Sequence, residues 1–435
     1  MSITPPSQTP WRVIGGPLGS HTSDRARSVA AHAGLAVVLT AVPMLAALAL
    51  RGWCLRNGFG GQVPLWRACY SDLPAMLQPL LDGGWADEPI VTGTALKLVA
   101  HLVGGSGATE QAIFVLLWGL VALVLLAVCA VAIAAYQYVV VGDTDRALLF
   151  VLCPVLPLGL LISGDIVGVT LMTVGLLAWR VRRDATAGAL LALAVFSRSI
   201  ALIVVIAIVV REVVPALRPG WSGRPLRRFA VGFAGGIAAT VAVGVTVGVP
   251  SLTEPMKGWW HSAPGYGSVW VLPFVADTAT PTDGAEWLRQ VVGAVTLPDG
   301  LMPWIALAGW GLAIGLMGWL AARSWGRPAL ADLALLGVAV VLLTSPALPV
   351  QASLWLVPLV ALSSLPWRDM LIWAGAEVLY FPMVWLYLGG LENPTRGLPG
   401  GWYAVFLGLR LFAIAYLAWR VAENSRFTPP TSRDG

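Results

Sequence analysis

Charge is what this chain has least of. Charged residues make up 11% of its 435 positions and hydrophobic ones 57%, against roughly a quarter charged in a soluble domain. That balance excludes an ordinary water-soluble globule and indicates an all-α polytopic membrane protein. Cysteine is scarce too, with four in all, and no Cys and His spacing has the form of a metal-ligand set. Cys129 and Cys153 fall inside apolar runs, where a free thiol is a small apolar filler. Cys54 and Cys69 flank a polar stretch, and a disulfide on an oxidising side or two separate thiols both fit their spacing. GGPLG and GWGLAIG lack the strand, helix and lysine of a phosphate cradle, and neither a serine elbow nor HExxH occurs. No cleavage pattern follows the first apolar run, so that run is expected to remain as an anchor. The net charge of +5 comes from arginines between apolar segments, where they set topology and carry no nucleic-acid role.

What the chain does have is a series of apolar runs of about 20 residues. Arg25 and Arg27 assign the N-terminus to the cytoplasmic side, and a first helix at about 28–50 leads outward. Trp66 to Gly93 then forms a polar island with Asp72, Asp82, Asp87, Glu88, Arg67, Tyr70 and two tryptophans, and 94–107 is expected as one or two surface helices. Runs at about 110–141, 147–162 and 166–179 follow, the last two joined only by Ser163, Gly164 and Asp165. The apolar run 187–214 is basic at both ends, so it is expected as two short helices meeting near Ser197, Arg198 and Ser199, with Arg198 turned outward. With later runs at about 229–249, 301–322, 330–343, 354–362, 370–388 and 402–418, the count reaches about twelve crossings with both termini cytoplasmic. The expected division is an N-terminal segment 1–27, a membrane domain 28–422 with outer loops at about 51–109 and 250–300, and a disordered polar tail 423–435.

All the concentrated polar chemistry is assigned to the outer face. Asp72, Glu88, Asp165, Arg198 and His261 stand among tryptophans there, and an external enzyme without nucleotides must draw its energy from an activated lipid. That suits sugar transfer from a polyprenyl phosphate: aromatic faces stack on sugars, arginine clamps phosphate, and one carboxylate deprotonates the acceptor hydroxyl. The leaving phosphate is a weak base, so no acid partner is required, and attack opposite the phosphate implies inversion. Substrate contacts are expected from Arg67, Tyr70, Arg198, His261, Tyr266, Ser268, Trp270 and Gln351. No cofactor is called for, and a divalent cation is left open. Plainer roles compete at each position. Asp72 in SDLP and Asp165 fit as helix N-caps, Glu88 as one side of a local ion pair, Arg198 as a snorkelling side chain, Trp259, Trp260 and Trp270 as interfacial anchors, His261 as structural, and Arg51, Arg56 and Arg67 as headgroup contacts.

Six ordered segments carry a resemblance: CYSDLP (69–74), EPIVTG (88–93), SGDIVGVTLMTVGLLAW (163–179), GYGSVW (265–270), SPALPVQASLWLVPL (345–359) and AEVLYFPMVWLYL (376–388). Spread from about Trp53 to Arg420, they resemble actinobacterial glycosyltransferase family 87, a membrane group of the GT-C type that includes polyprenyl-phosphomannose-dependent mannosyltransferases of lipoglycan synthesis. The resemblance implies a GT-C bundle with outer loops and short surface helices. Its partners would be a polyprenyl-phosphate sugar donor, a lipid or glycan acceptor and membrane lipid. Asp72 takes the place of the catalytic base, Glu88 and Asp165 match the family's acidic positions, and Arg198 stands where a basic residue, usually lysine, is found. The chain departs from the pattern in lacking Tyr after Glu88 and Pro in RSIAL, and in having HSAPG before GYGSVW. Two other classes use the same features: a flippase for lipid-linked saccharides, and an inactive paralogue that scaffolds envelope enzymes.

Overall fold

A computed structural model describes residues 29–85, 88–141, 146–214, 223–248, 263–278, 286–292, 295, 298, 300–324, 328–393 and 395–427. Among these residues the fold is helical and without strands. In chain order the α-helices are α1 Val29–Leu39, α2 Ala41–Asn57, α3 Val63–Trp66, α4 Leu73–Leu81, α5 Ile90–Ala100, α6 Ala108–Val141, α7 Arg146–Val151, α8 Val155–Gly159, α9 Ile166–Arg180, α10 Asp184–Val195 and α11 Ala201–Val213. They continue with α12 Arg224–Val247, α13 Leu272–Thr278, α14 Glu286–Val292, α15 Leu301–Arg323, α16 Leu330–Thr344, α17 Leu356–Leu362, α18 Trp367–Glu392 and α19 Gly400–Phe427. Single 3₁₀ segments at Val269–Val271 and Val350–Trp355 precede α13 and α17.

Six helices among the described residues are long and apolar enough to cross a membrane: Ala33–Asn57, Ala108–Val139, Arg224–Val247, Leu301–Arg323, Trp367–Glu392 and Gly400–Ser425. Six further apolar helices are only 10–17 residues long, among them α5, α9, α10 and α16. Their shortness has a local cause. Proline and polar residues interrupt the apolar runs, and at about 1.5 Å per residue what remains is less than a bilayer's width. One of them, α16, is held almost wholly inside the protein. All but the last two residues of α16 are buried, which satisfies backbone that lipid could not.

Several expected boundaries move. The first crossing continues past Leu50 to Asn57 and carries Arg51 with it. Arg51 is fully buried and does not meet headgroups. Its guanidinium donates to the carbonyls of Pro157 and Leu158 at 2.8 and 2.7 Å, occupying acceptors that the last turn of α8 leaves free. The surface segment expected at 94–107 is α5, which starts earlier, at Ile90, and buries Thr92, Leu96 and Ala100. The run 187–214 breaks as expected into α10 and α11, with Arg198 at the join. The tail does not begin at Glu423: α19 runs to Phe427, and the Ser425 hydroxyl donates to Asp332 at 2.9 Å. Residues 1–28 and 428–435 lie outside the described residues.

Helices α10 and α12 pack closely against each other. A Cβ on Gly188 would run into the Phe229 carbonyl, and one on Gly232 into that of Ala185. Small residues let these backbones approach, which is how apolar helices associate without help from water. The pairing matters for the site because α10 ends next to Arg198.

Candidate functional site

The CYSDLP segment is tied down before Asp72 is reached. Cys54, near the end of α2, is disulfide-bonded to Cys69 with Cα atoms 6.0 Å apart. The Ser71 hydroxyl then donates to the Leu161 carbonyl at 2.6 Å and the Asp72 N–H to the Ile162 carbonyl at 2.9 Å. These bonds lay the segment against the SGD turn that carries Asp165. Asp72 and Asp165 both occupy N-cap positions, of α4 and α9, yet neither side chain makes a capping bond. Nearby serines take up local N–H groups instead: Ser71 Oγ accepts from Leu73 and Ser163 Oγ from Asp165. Both carboxylates are thereby left for tertiary partners.

Those partners come from the α10–α11 join and the EPIVTG segment. Arg198 donates from Nε to Asp165 Oδ1 at 2.6 Å and from Nη2 to Glu88 Oε1 at 3.2 Å. The second oxygen of Glu88 is buried without a hydrogen-bond partner. Glu88 is brought to Arg198 by backbone stitching: the Val91 N–H donates to the Phe196 carbonyl and the Thr92 hydroxyl to that of Ser197. Gly164 closes the join, because a Cβ there would collide with the Thr92 methyl. From the far end of the chain, Gln351 Nε2 reaches Asp72 Oδ2 at 3.4 Å. Together Asp165, Arg198, Ser199, Pro349, Gln351 and Trp355 line a cavity of about 220 Å³.

The electrostatics follow from this crowding. Burial raises the Asp72 carboxyl above its usual range, and repulsion from Asp165 adds to that, while the Tyr70 hydroxyl facing it and the charge of Arg198 work the other way. Burial likewise pushes Glu88 up to about 7, opposed by Arg198 and reinforced by Asp165 and Asp72. The Arg198 guanidinium is held well above its ordinary value, chiefly by Asp165 and then by Glu88. Two carboxyls therefore share one guanidinium, whose field Asp72 also feels and whose side chain remains 34% exposed. Arg198 is bonded through Nε and Nη2, and it is one of the residues lining the cavity.

Of the expected site residues, Asp72, Glu88, Asp165, Arg198, Tyr70 and Gln351 are brought together. Arg67 is exposed and stacks its guanidinium over the Trp53 ring at 5.6 Å. Tyr266 packs edge-on against Tyr387 at 6.1 Å. Ser268 and Trp270 spend their polar atoms on carbonyls, Ser268 on Gly265 and Trp270 on Thr344. His261, with Trp259 and Trp260, lies outside the described residues. Among the described residues no group of three or more His, Cys, Asp or Glu side chains is placed to hold a metal ion.

Sequence reasoning passed over Ser199, Pro349 and Trp355 in the lining, and the pair Glu377 and Arg410 behind it. The latter carried a usable signal, a charge within a long apolar helix; the former carried none. Compared with known proteins, the chain matches no protein-family model and no curated protein.

Proposed function

We propose that this chain is an inverting membrane glycosyltransferase that moves a sugar, mannose by the resemblance, from a polyprenyl-phosphate donor to a lipid or glycan acceptor. The observation that carries the reading is that Asp165, Arg198 and Gln351 line one cavity, with Glu88 bonded to Arg198 and Asp72 accepting from Gln351, so that groups from three separate loops and a helix join form one connected cluster. Two of these carboxylates forgo the capping bonds their positions offer.

In this reading Asp72 accepts the proton of the acceptor hydroxyl as that oxygen bonds to the anomeric carbon. The bond from that carbon to the phosphate oxygen breaks with its electron pair, and polyprenyl phosphate departs. Arg198 meets the departing phosphate from the cavity wall while Asp165 and Glu88 hold the guanidinium in place. Gln351 and Tyr70 orient the Asp72 carboxylate.

The full reading is a GT-C bundle of about twelve crossings, in which short internal helices complete the count beyond the six long ones. The site faces outward and both termini inward. Two observations support that sidedness. The Cys54–Cys69 disulfide belongs in an oxidising compartment and lies three residues from Asp72. At the far end of α9, Arg180, Arg182 and Arg183 gather, and Asp184 there also feels Arg228 from the start of α12, a basic cluster suited to the cytoplasmic face.

The test is transfer from polyprenyl-phosphomannose by purified protein in liposomes. Asp72→Asn should abolish transfer while leaving expression and thermal stability near those of the parent. Retained turnover would remove Asp72 as the base, and lipid-linked saccharide flipping without transfer would replace the enzyme reading altogether.

A further inference from the structure

Behind the cavity wall lies an ion pair that the proposed chemistry does not use. Arg410 in α19 and Glu377 in α18 are 0% and 1% exposed and bonded Nε to Oε2 at 3.0 Å. Glu377 also accepts from Trp373 Nε1 at 3.2 Å and from the Ser353 hydroxyl at 2.7 Å. Arg410 donates from Nη1 to the Leu348 carbonyl at 2.6 Å, and from Nη2 to the Pro349 carbonyl at 3.1 Å and the Ser353 oxygen at 3.0 Å. Its guanidinium lies 4.6 Å from the Tyr380 ring. All of its bonds other than the one to Glu377 therefore fall on the short segment 348–353, and Gln351 sits in the middle of that segment.

Stability does not call for this arrangement. Taking two charges into a membrane-embedded interior is costly, and apolar residues of similar volume generally hold such a place as well or better. What an apolar pair lacks is a way to grip carbonyls. The segment 348–353 is a proline-flanked turn and a short 3₁₀ helix with Leu348 and Val350 buried, and it is Arg410 that takes up its Leu348 and Pro349 carbonyls and its Ser353 hydroxyl. The GYG turn completes the grip. The Gly265 N–H donates to the Pro346 carbonyl, the Gly267 N–H to the Tyr403 hydroxyl, and a Cβ on Gly267 would meet both the Leu348 carbonyl and Arg410.

We infer that Arg410 and Glu377 are positioning residues, a buried clamp that sets the register of the 348–353 wall and so aims Gln351 at Asp72. The inference rests on the transferase reading for its kinetic consequence, but its geometric consequence stands alone. Arg410 acts at a distance from the reacting atoms, through Gln351.

The experiment uses the full chain with Arg410→Met and Glu377→Met combined, so that no charge is left unpaired. A reporter carrying Asp72→Cys and Gln351→Cys is treated with a short bifunctional methanethiosulfonate, and the cross-linked peptide is quantified by mass spectrometry. The native cysteines do not compete, since two form a disulfide and two are buried. The clamp predicts that cross-link yield falls at least about fivefold in the double-Met background while the melting temperature changes little. Ser353→Ala, a milder change, should lower the yield about twofold by removing the hydroxyl that bonds both Glu377 and Arg410. Unchanged yield in both backgrounds would overturn the clamp.

In the transfer assay, Arg410→Lys should not restore activity, because a single ammonium nitrogen cannot reach the four acceptors that the planar guanidinium fork holds apart. Adding Gln351→Ala to the double-Met chain should cost no more than the larger of the two separate losses, since both act through one contact. Multiplying losses would refute action through Gln351. If the unaltered protein transfers no sugar but the cross-link still depends on the clamp, the transferase reading fails and the positioning role stands.

Discussion

Replacing Glu88 by Gln isolates the electrostatic tension of the site. Glu88 is buried, with one oxygen on Arg198 and the other without a partner, and Asp165 and Asp72 repel its charge. Burial and these neighbours raise it from an ordinary 4.5 to about 7. The folded protein therefore holds the Glu88 proton more tightly than the unfolded chain does. Its contribution to stability is complete below about pH 4.5, declines as pH rises, and is lost through about pH 7. At about 1.4 kcal/mol per tenfold change in proton affinity, this amounts to about 3 kcal/mol between the two limits. Gln keeps the acceptor for Arg198 and imitates the protonated acid, so Glu88→Gln should remove that decline. The measurement is thermal unfolding of both proteins in the same detergent from pH 5 to 8. The parent should lose roughly 3 °C relative to Glu88→Gln over that interval, given the entropy of unfolding expected for a chain of this length. Parallel profiles would show that Glu88 is ionised throughout and that the argument from burial is wrong.

Further outcomes follow from the same contacts. Reducing the Cys54–Cys69 bond, or replacing both residues by Ser, should cost about 3 kcal/mol for a loop of this size and lower transfer by loosening Asp72, read by melting temperature and initial rate. Arg198→Met leaves Asp165 and Glu88 buried without a counter-charge. It should destabilise by about 3 kcal/mol at neutral pH, less as pH falls and Glu88 takes a proton, measured as the melting difference from the parent at two pH values. Gly164→Ala should cost about 1–3 kcal/mol through overlap with the Thr92 methyl, and Thr92→Ser, which removes that methyl, should restore most of the loss in the same unfolding assay.

Parts of the site were visible in the primary structure because they break a strong pattern. Asp165 at the tip of a three-residue join, Arg198 inside an apolar run basic at both ends, and Asp72 and Glu88 on a polar island all stand out where lipid tolerates little charge. Their roles were less legible. SDLP reads equally well as a simple N-cap, and only the structure shows Ser71 and Ser163 taking local N–H groups while the two aspartates turn to tertiary partners. Arg51 looked like a headgroup contact and is instead a fully buried donor to α8. Ser268 and Trp270 read as substrate contacts, and only the structure shows their side chains donating to the Gly265 and Thr344 carbonyls.

The sequence by itself determined the class of solvent, the helical fold and the places where charge interrupts it, because transfer into an apolar medium is a residue-by-residue property that a linear pattern records. Tertiary structure alone decided that Gln351 meets Asp72 across 279 residues, and that Arg410 and Glu377 stand behind them. Those meetings depend on which helices can approach closely, as α10 and α12 do through Gly188 and Gly232. That complementarity belongs to pairs of distant surfaces and is written in no single stretch of the chain.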